Sequence, residues 1–226
     1  SVAISGRPGP VVLALPEDML CDEVPDTLTP RPAVARPAQA VCPDAIQAMF
    51  ALIADAASPI AIIGGAGWNA KAREHFQTFA ERLGLPVATA FRRQDAIAPS
   101  SPVYAGNLGY GPNPRLIERV KQADLILTVG ARLGEATTDG YTFPTPEHSD
   151  QVLIHVHPDP NELGRVYRAD LQLACAVDEF AEAAALWEDN AIIPFDAGAD
   201  AHRDWEQWAT HAPTDTPPAL DMGACV

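Results

Sequence analysis

Between residues 59 and 175 the chain repeats one pattern: a short apolar, β-branched run, a glycine-bearing turn, then a stretch with helical spacing. Apolar runs without polar alternation fit strands covered on both faces. Helical segments between them return the chain for a parallel neighbour through right-handed crossovers. Six such runs are readable: Ile60–Ile63, Pro86–Ala90, Pro102–Ala105, Asp124–Val129, Gln151–Val156 and Leu171–Ala174. Helical spacing occupies Asn69–Leu83, where Phe76, Phe79, Ala80 and Leu83 form one stripe and Gly84 is placed to cap the end. It recurs over Pro114–Ala123 and the Ala-rich Asp178–Glu188, and begins at Pro43 with Ile46, Met49, Phe50 and Ile53. Pro43 suits a first helical turn, where its missing N–H is no loss. The pattern predicts a three-layer α/β/α, Rossmann-like fold around a six-stranded, mainly parallel sheet.

The flanks read differently. Val11–Leu15 is β-prone and follows the turn-forming Ser5-Gly6-Arg7-Pro8-Gly9-Pro10, so a strand is expected there. Of 226 residues 22 are Pro, and those at 25, 30, 32, 37 and 43 mark an extended connector, since proline neither donates to a ladder nor continues a helix. Ala201–His211 predicts one helix with Trp205 and Trp208 on the same side, and Pro213–Pro218 a second connector. The expected division is 1–20 as the end of a preceding domain, 21–42 as linker, 43–190 as the central domain and 191–226 as a helix and linker beyond it. A chain opening on Ser1 next to a strand-like run is expected to be a piece of something longer. With 30 acidic residues against 15 Lys and Arg, the net charge of −15 argues against nucleic acid and anionic membrane surfaces as partners. No apolar run approaches the ~18 residues of a membrane span. Cys21, Cys42, Cys175 and Cys225 are far apart and form no C-x-x-C pair, which reads as reduced, structural thiols in a cytoplasmic protein.

Three glycine-bearing loops follow predicted strands. Gly65-Ala66-Gly67-Trp68-Asn69-Ala70 has the form G-x-G-x-x-A, which lets a backbone turn tightly and lets a phosphate approach the N–H groups of a helix start. The plainer reading is that a βα turn favours glycine for steric reasons. An acidic residue about 20 positions on would meet a ribose, yet the second strand ends in Ala90-Phe91-Arg92-Arg93. Either those arginines accept a 2′-phosphate, making an NADP binder, or an adenosine diphosphate is held differently. Gly106-Asn107-Leu108-Gly109-Tyr110-Gly111 and Gly130-Ala131-Arg132-Leu133-Gly134 are the other two loops. Ligands of open α/β sheets bind beyond the carboxyl ends of the strands, so all three converge on one crevice. Arg132 has the planar fork that suits an oxyanion, with a surface salt bridge as its other role. His155 and His157, two apart on a strand, share a face, but only Asp159 offers a third ligand nearby, so a metal is not favoured. His157 is read toward a nucleotide-facing strand end and His155 toward packing.

These segments together resemble a known family. Ser5–Leu20 (SGRPGPVVLALPEDML) is similar to the last strand of the pyrimidine-binding domain of thiamine-diphosphate-dependent enzymes, the acetolactate-synthase-like group in particular. Pro59–Gly67 (PIAIIGGAG), Leu83–Thr89 (LGLPVAT), Ala123–Leu133 (ADLILTVGARL) and Leu153–Pro160 (LIHVHPDP) resemble successive elements of their central domain, in the same order. Pro218–Val226 looks like the approach to the diphosphate-binding domain. The resemblance implies a central domain that often binds FAD or ADP. It places Gly64, Gly65 and Gly67, in the turn that includes Trp68, at the ligand's phosphates. Asn107, Leu108 and Gly109 fall in a second contacting loop, and Gly130, Arg132 and Leu133 in a third. The family's usual aspartate falls at His157, near Asp159. The resemblance further implies a transferase or lyase that takes a 2-oxo acid, uses thiamine diphosphate and Mg2+, and assembles as a homodimer or homotetramer. Its catalytic glutamate belongs before Ser5 and its G-D-G motif after this chain, so residues 1–226 alone are expected to be non-catalytic. An NADP-binding oxidoreductase domain and a non-catalytic nucleotide-binding module are the alternative readings.

Overall fold

The six apolar runs pair side by side in one parallel sheet. The computed structural model describes residues 2–4, 7–29, 31–32, 39–146, 150–187 and 194–210. Its strands are β1 (Pro59–Ile63), β2 (Val87–Thr89), β3 (Tyr104–Asn107), β4 (Leu125–Val129), β5 (Val152–His157) and β6 (Leu171–Ala174). Their order across the sheet is β3-β2-β1-β4-β5-β6, all parallel. Chain direction across the sheet reverses between β1 and β4, which pair in register from Pro59↔Leu125 to Ile63↔Val129. That reversal opens a crevice at the carboxyl ends of these two strands. Where they begin, the Asp124 carboxylate accepts the N–H groups of Ala57 (2.6 Å) and Ser58 (2.8 Å), joining the entry of β1 to that of β4.

Five α-helices flank the sheet: α1 (Pro43–Asp55), α2 (Ala70–Leu83), α3 (Pro114–Gln122), α4 (Val177–Leu186) and α5 (Ala197–Ala209). β1, β2, β4 and nearly all of β5 are buried on both faces because helices and loops cover both, while the edge strand β6 leaves Gln172 and Ala174 exposed. Phe50, Phe76, Phe79 and Phe180, from α1, α2 and α4, pack with Ala61, Ile63, Leu127, Ile154 and Val156. Ile60, Ile62 and Ile126 face the other way, against Leu116 and Val120 of α3 and the loop residues Leu133, Phe143 and Tyr167. This is a three-layer α/β/α Rossmann-like fold. Helix ends follow local chemistry. The Asn69 side chain accepts the Ala72 N–H at 2.9 Å, and Gly84 closes α2 at φ 61°. A side chain at Gly84 would also collide with the Phe195 carbonyl. α5 packs against β3, the edge strand, where the His202 ring lies 3.0 Å from the Tyr104 carbonyl and Trp205 stacks edge-on against Tyr104. Asp204 of α5 pairs with Arg115 (2.6 Å) and Arg119 (3.0 Å) of α3.

Several expectations need correction. Val11–Leu15 forms no strand; it lies exposed, beside no sheet edge. A strand exists through its ladder, and apolar β-branched composition alone does not hold one. The third strand begins at Tyr104 rather than Pro102, which has no N–H to give a ladder; Val87 instead donates to the Val103 carbonyl at 2.8 Å. α5 starts at Ala197, four residues ahead of the expected Ala201, and Trp208 stays 56% exposed while Trp205 packs on the core. His211 and the Pro213–Pro218 connector lie outside the described residues, as do Ser5, Gly6 and Cys225. Among the described residues no helix is long and apolar enough to cross a membrane.

Candidate functional site

Beyond the carboxyl ends of β1, β4 and β5 lies a cleft of about 550 Å3, within the usual size of a small-molecule site. Gly65 and Ala66 form one wall, Gly130 to Thr137 another, His157 and Pro158 a third; Phe91, Tyr110, Arg7 and Pro8 complete it. The turns after β1 and β4 nest against each other. Gly65 sits at φ 71° and Gly130 at φ 70°. A Cβ on Gly65 would run into the Gly130 carbonyl, and one on Gly130 would come within 2.5 Å of the Gly64 carbonyl. A Cβ on Gly64 would lie 2.6 Å from that of Ala90. Strand-end packing therefore requires these glycines whatever the cleft holds. The same bareness leaves the backbone of Gly65 and Gly130 facing it.

The rest of the G-x-G-x-x-A run turns away. Gly67 packs on Val177 and does not line the cleft. Trp68 is buried in the core, its indole N–H donating to the Gly64 carbonyl at 2.7 Å and its ring set edge-on to Phe76. Asn69 spends its side-chain oxygen on the Ala72 N–H and donates its amide to Asp178 at 3.3 Å. The start of α2 thus carries its own cap with a carboxylate beside it, a poor seat for a phosphate. The second loop is likewise apart from the main cleft. Asn107 is half-buried, Leu108 is buried with its N–H on the Thr89 carbonyl at 2.8 Å, and Gly109 fits under the Phe91 ring. Gly109 and Tyr110 border a smaller hollow of about 230 Å3 with Glu135 and Asp139. Tyr110, set edge-on to Phe91, lines both spaces.

The third loop stays at the cleft: Gly130, Arg132 and Leu133 all line it. Arg132 is exposed, its guanidinium beside Gly134, and among the described residues no carboxylate pairs with it. His157 is buried, and its Nδ1 lies 3.0 Å from the Asp159 backbone nitrogen and 3.1 Å from the Asp159 carbonyl oxygen. Burial pushes the His157 pKa below its ordinary value, so the ring is neutral at pH 7. Asp159 does not line the cleft; its carboxylate accepts the Asn161 N–H (3.0 Å) and amide (2.9 Å), which hold its pKa down. His155, read toward packing, is buried with Nε2 2.9 Å from the Ala131 carbonyl. Among the described residues no cluster of three metal-ligating side chains forms. The arginines of the NADP reading lie elsewhere: Arg92 stacks over Phe91 at 5.1 Å, and Arg93 makes two hydrogen bonds to Asp95, at 2.9 and 3.2 Å.

Two groups escaped the sequence reading. Arg7 lines the cleft and reaches Glu162 at 3.2 Å across 155 residues. Glu162, nearly fully buried, also holds Arg165 at 3.0 Å. No local spacing connects residues so far apart; the Ser5–Pro10 run showed only its turn chemistry.

A 3-2-1-4-5-6 parallel sheet with glycine turns nested at its switch point defines a Rossmann-like class of fold. A family model described as "Thiamine pyrophosphate enzyme, central domain" matches residues 46–184, from α1 into α4, and the chain belongs to that family. It is similar to an acetolactate synthase large subunit from Corynebacterium glutamicum, 27% identical over 174 residues, which cover 76% of this chain and 27% of that protein. A sulfoacetaldehyde acetyltransferase from Alcaligenes xylosoxydans xylosoxydans is 30% identical over 162 residues, 69% of this chain and 25% of that one. The crystal structure of benzoylformate decarboxylase from Polynucleobacter necessarius superposes with a TM-score of 0.62 at 25% identity, over 81% of this chain and 34% of that chain. The chain thus spans about a quarter of the length of these curated relatives.

Proposed function

We propose that this chain is the central domain of a thiamine-diphosphate-dependent transferase or lyase acting on a 2-oxo acid, and that its cleft takes the diphosphate portion of ADP or FAD. The family match over residues 46–184, from α1 across the sheet into α4, is the observation that carries the first half. The chemistry of the lining supports the second. Arg132 and Arg7 offer guanidinium forks, the bare turns at Gly65 and Gly130 expose backbone, and Phe91 and Tyr110 supply aromatic faces. Two guanidinium groups and aromatic faces fit a phosphate-bearing group, with the Glu135 carboxylate in the same lining as the opposing charge. His157 alters the usual arrangement: where a carboxylate would accept from a ribose hydroxyl, an imidazole held neutral by burial stands instead.

Thiamine diphosphate, with Mg2+, supplies the carbanion-stabilising chemistry of the whole enzyme. This domain braces its neighbours and orients its own ligand, in a parent assembled as a homodimer or homotetramer. Residues 1–226 by themselves turn nothing over. Calorimetric titration of the full chain with ADP, FAD and NADPH tests the ligand; ADP or FAD should bind with a Kd on the order of micromolar. Binding of NADPH alone would favour the oxidoreductase reading, and pyruvate turnover by this chain with thiamine diphosphate and Mg2+ would refute the non-catalytic assignment.

A further inference from the structure

Two guanidinium groups line the cleft, and they differ in one respect. Arg132 has no carboxylate partner among the described residues, whereas Arg7 is already engaged by Glu162 at 3.2 Å. Glu162 shares the same carboxylate oxygen with Arg165, at 3.0 Å. The exposures are unequal: the Glu162 side chain is 8% accessible, those of Arg7 and Arg165 50% and 62%. Residues 7–29 are exposed throughout, so the ion pair tethers an otherwise exposed segment to the β5 side of the cleft.

Buried carboxylates resist losing every cationic partner, because the uncompensated charge is costly. Glu162 has two partners, so releasing Arg7 leaves it paired with Arg165. A guanidinium carries five donors, and a phosphate offers it a bidentate geometry at least as good as a single carboxylate contact. An anion entering the cleft therefore meets Arg7 as a donor that one carboxylate already holds and can give up. We infer that Glu162 is an internal competitor for Arg7: it seats the 7–8 segment against the cleft and yields the guanidinium to a phosphate-bearing ligand, keeping its own charge on Arg165. This inference rests on the reading of the cleft as a phosphate site, and it assigns Glu162, which acts through Arg7, as a residue that tunes how tightly that site binds.

A double-mutant cycle on the full chain, read as ADP affinity by calorimetry, tests it. Replacing Glu162→Gln should tighten ADP binding about 3- to 10-fold in the native background, since a charge-assisted competitor is removed. In the Arg7→Ala background the same replacement should change affinity by less than about 2-fold, the scatter expected of uncoupled sites. An equal gain in both backgrounds would show that Glu162 acts only through its field. No gain in either would show that it does not compete. Both results overturn the proposal while leaving the phosphate site standing. Absence of ADP binding in all four proteins overturns the site itself and the competitor role with it. Circular dichroism checks the fold of each variant. Should Glu162→Gln fail to fold, Glu162→Asp, which retreats from Arg7 by one methylene, is read in its place with the same expected sign.

Discussion

Single side chains at the cleft answer to packing first and to ligand chemistry second. Gly65 shows the order: its φ of 71° and its contact with the Gly130 carbonyl exclude a side chain before any ligand is considered. Gly65→Ala should destabilise the fold by about 2–4 kcal/mol, as overpacking at a positive φ does. A urea melt checks this, and an unchanged midpoint would remove the nested-turn account. His155 and His157 carry a pH signature. Burial is the leading cause that lowers both pKa values below the ordinary 6.5. The unfolded chain therefore binds protons that the folded chain refuses as pH falls below about 6.5. Stability should be fully present above that pH and be lost progressively below it, down to the depressed folded-state values. Replacing both residues by Gln should flatten the change in urea midpoint between pH 7 and pH 5; an undiminished slope would assign the loss to other groups. At this scale the glycines were legible and their reason was not. Sequence presents a phosphate-turn signature, whereas the steric demand of β4 on β1 appears only once two turns 65 residues apart come together. Arg7 and Glu162 were illegible for the same reason.

Elements were legible where burial is symmetric. β1, β4 and β5 are covered on both faces, so each reads as a nearly continuous apolar run with bounds close to those observed. Val11–Leu15 has the same composition and no strand, because a ladder needs a partner that composition does not reveal. Helix ends followed their caps: Gly84 closes α2 as its position implied, and Asn69 opens it. That cap also explains why G-x-G-x-x-A misdirects here. Its final half serves the start of α2 and the core beneath Trp68, not the cleft. Asn69→Ala should cost about 1 kcal/mol by thermal or urea denaturation, and leave ADP affinity within about 2-fold of native. A large loss of affinity at unchanged stability would return the helix start to the ligand site.

At the scale of the molecule, strand order places the cleft. The direction reversal between β1 and β4 opens the crevice beside their nested exit turns, and the β5 end brings His157 to the same rim. Sequence alternation implied the parallel sheet and a crevice at its carboxyl edge, and the three loops expected to converge reach it unequally. The β4 loop lines the cleft fully, the β1 turn by its first residues, and the β3 loop only through Tyr110. The net charge of −15 is that of the whole chain, while the cleft rim presents two arginines. Glu135 shares that lining, and Arg132 is its guanidinium without a carboxylate partner among the described residues. The central claim, a phosphate-accepting cleft in a thiamine pyrophosphate enzyme central domain, is a claim about place. Amide chemical-shift mapping during an ADP titration tests it most directly. Shifts should concentrate at Gly65, Ala66, Gly130 to Thr137 and His157. Shifts centred on Gly67 to Ala72 or on Arg92 to Asp95, with the cleft rim silent, would contradict it.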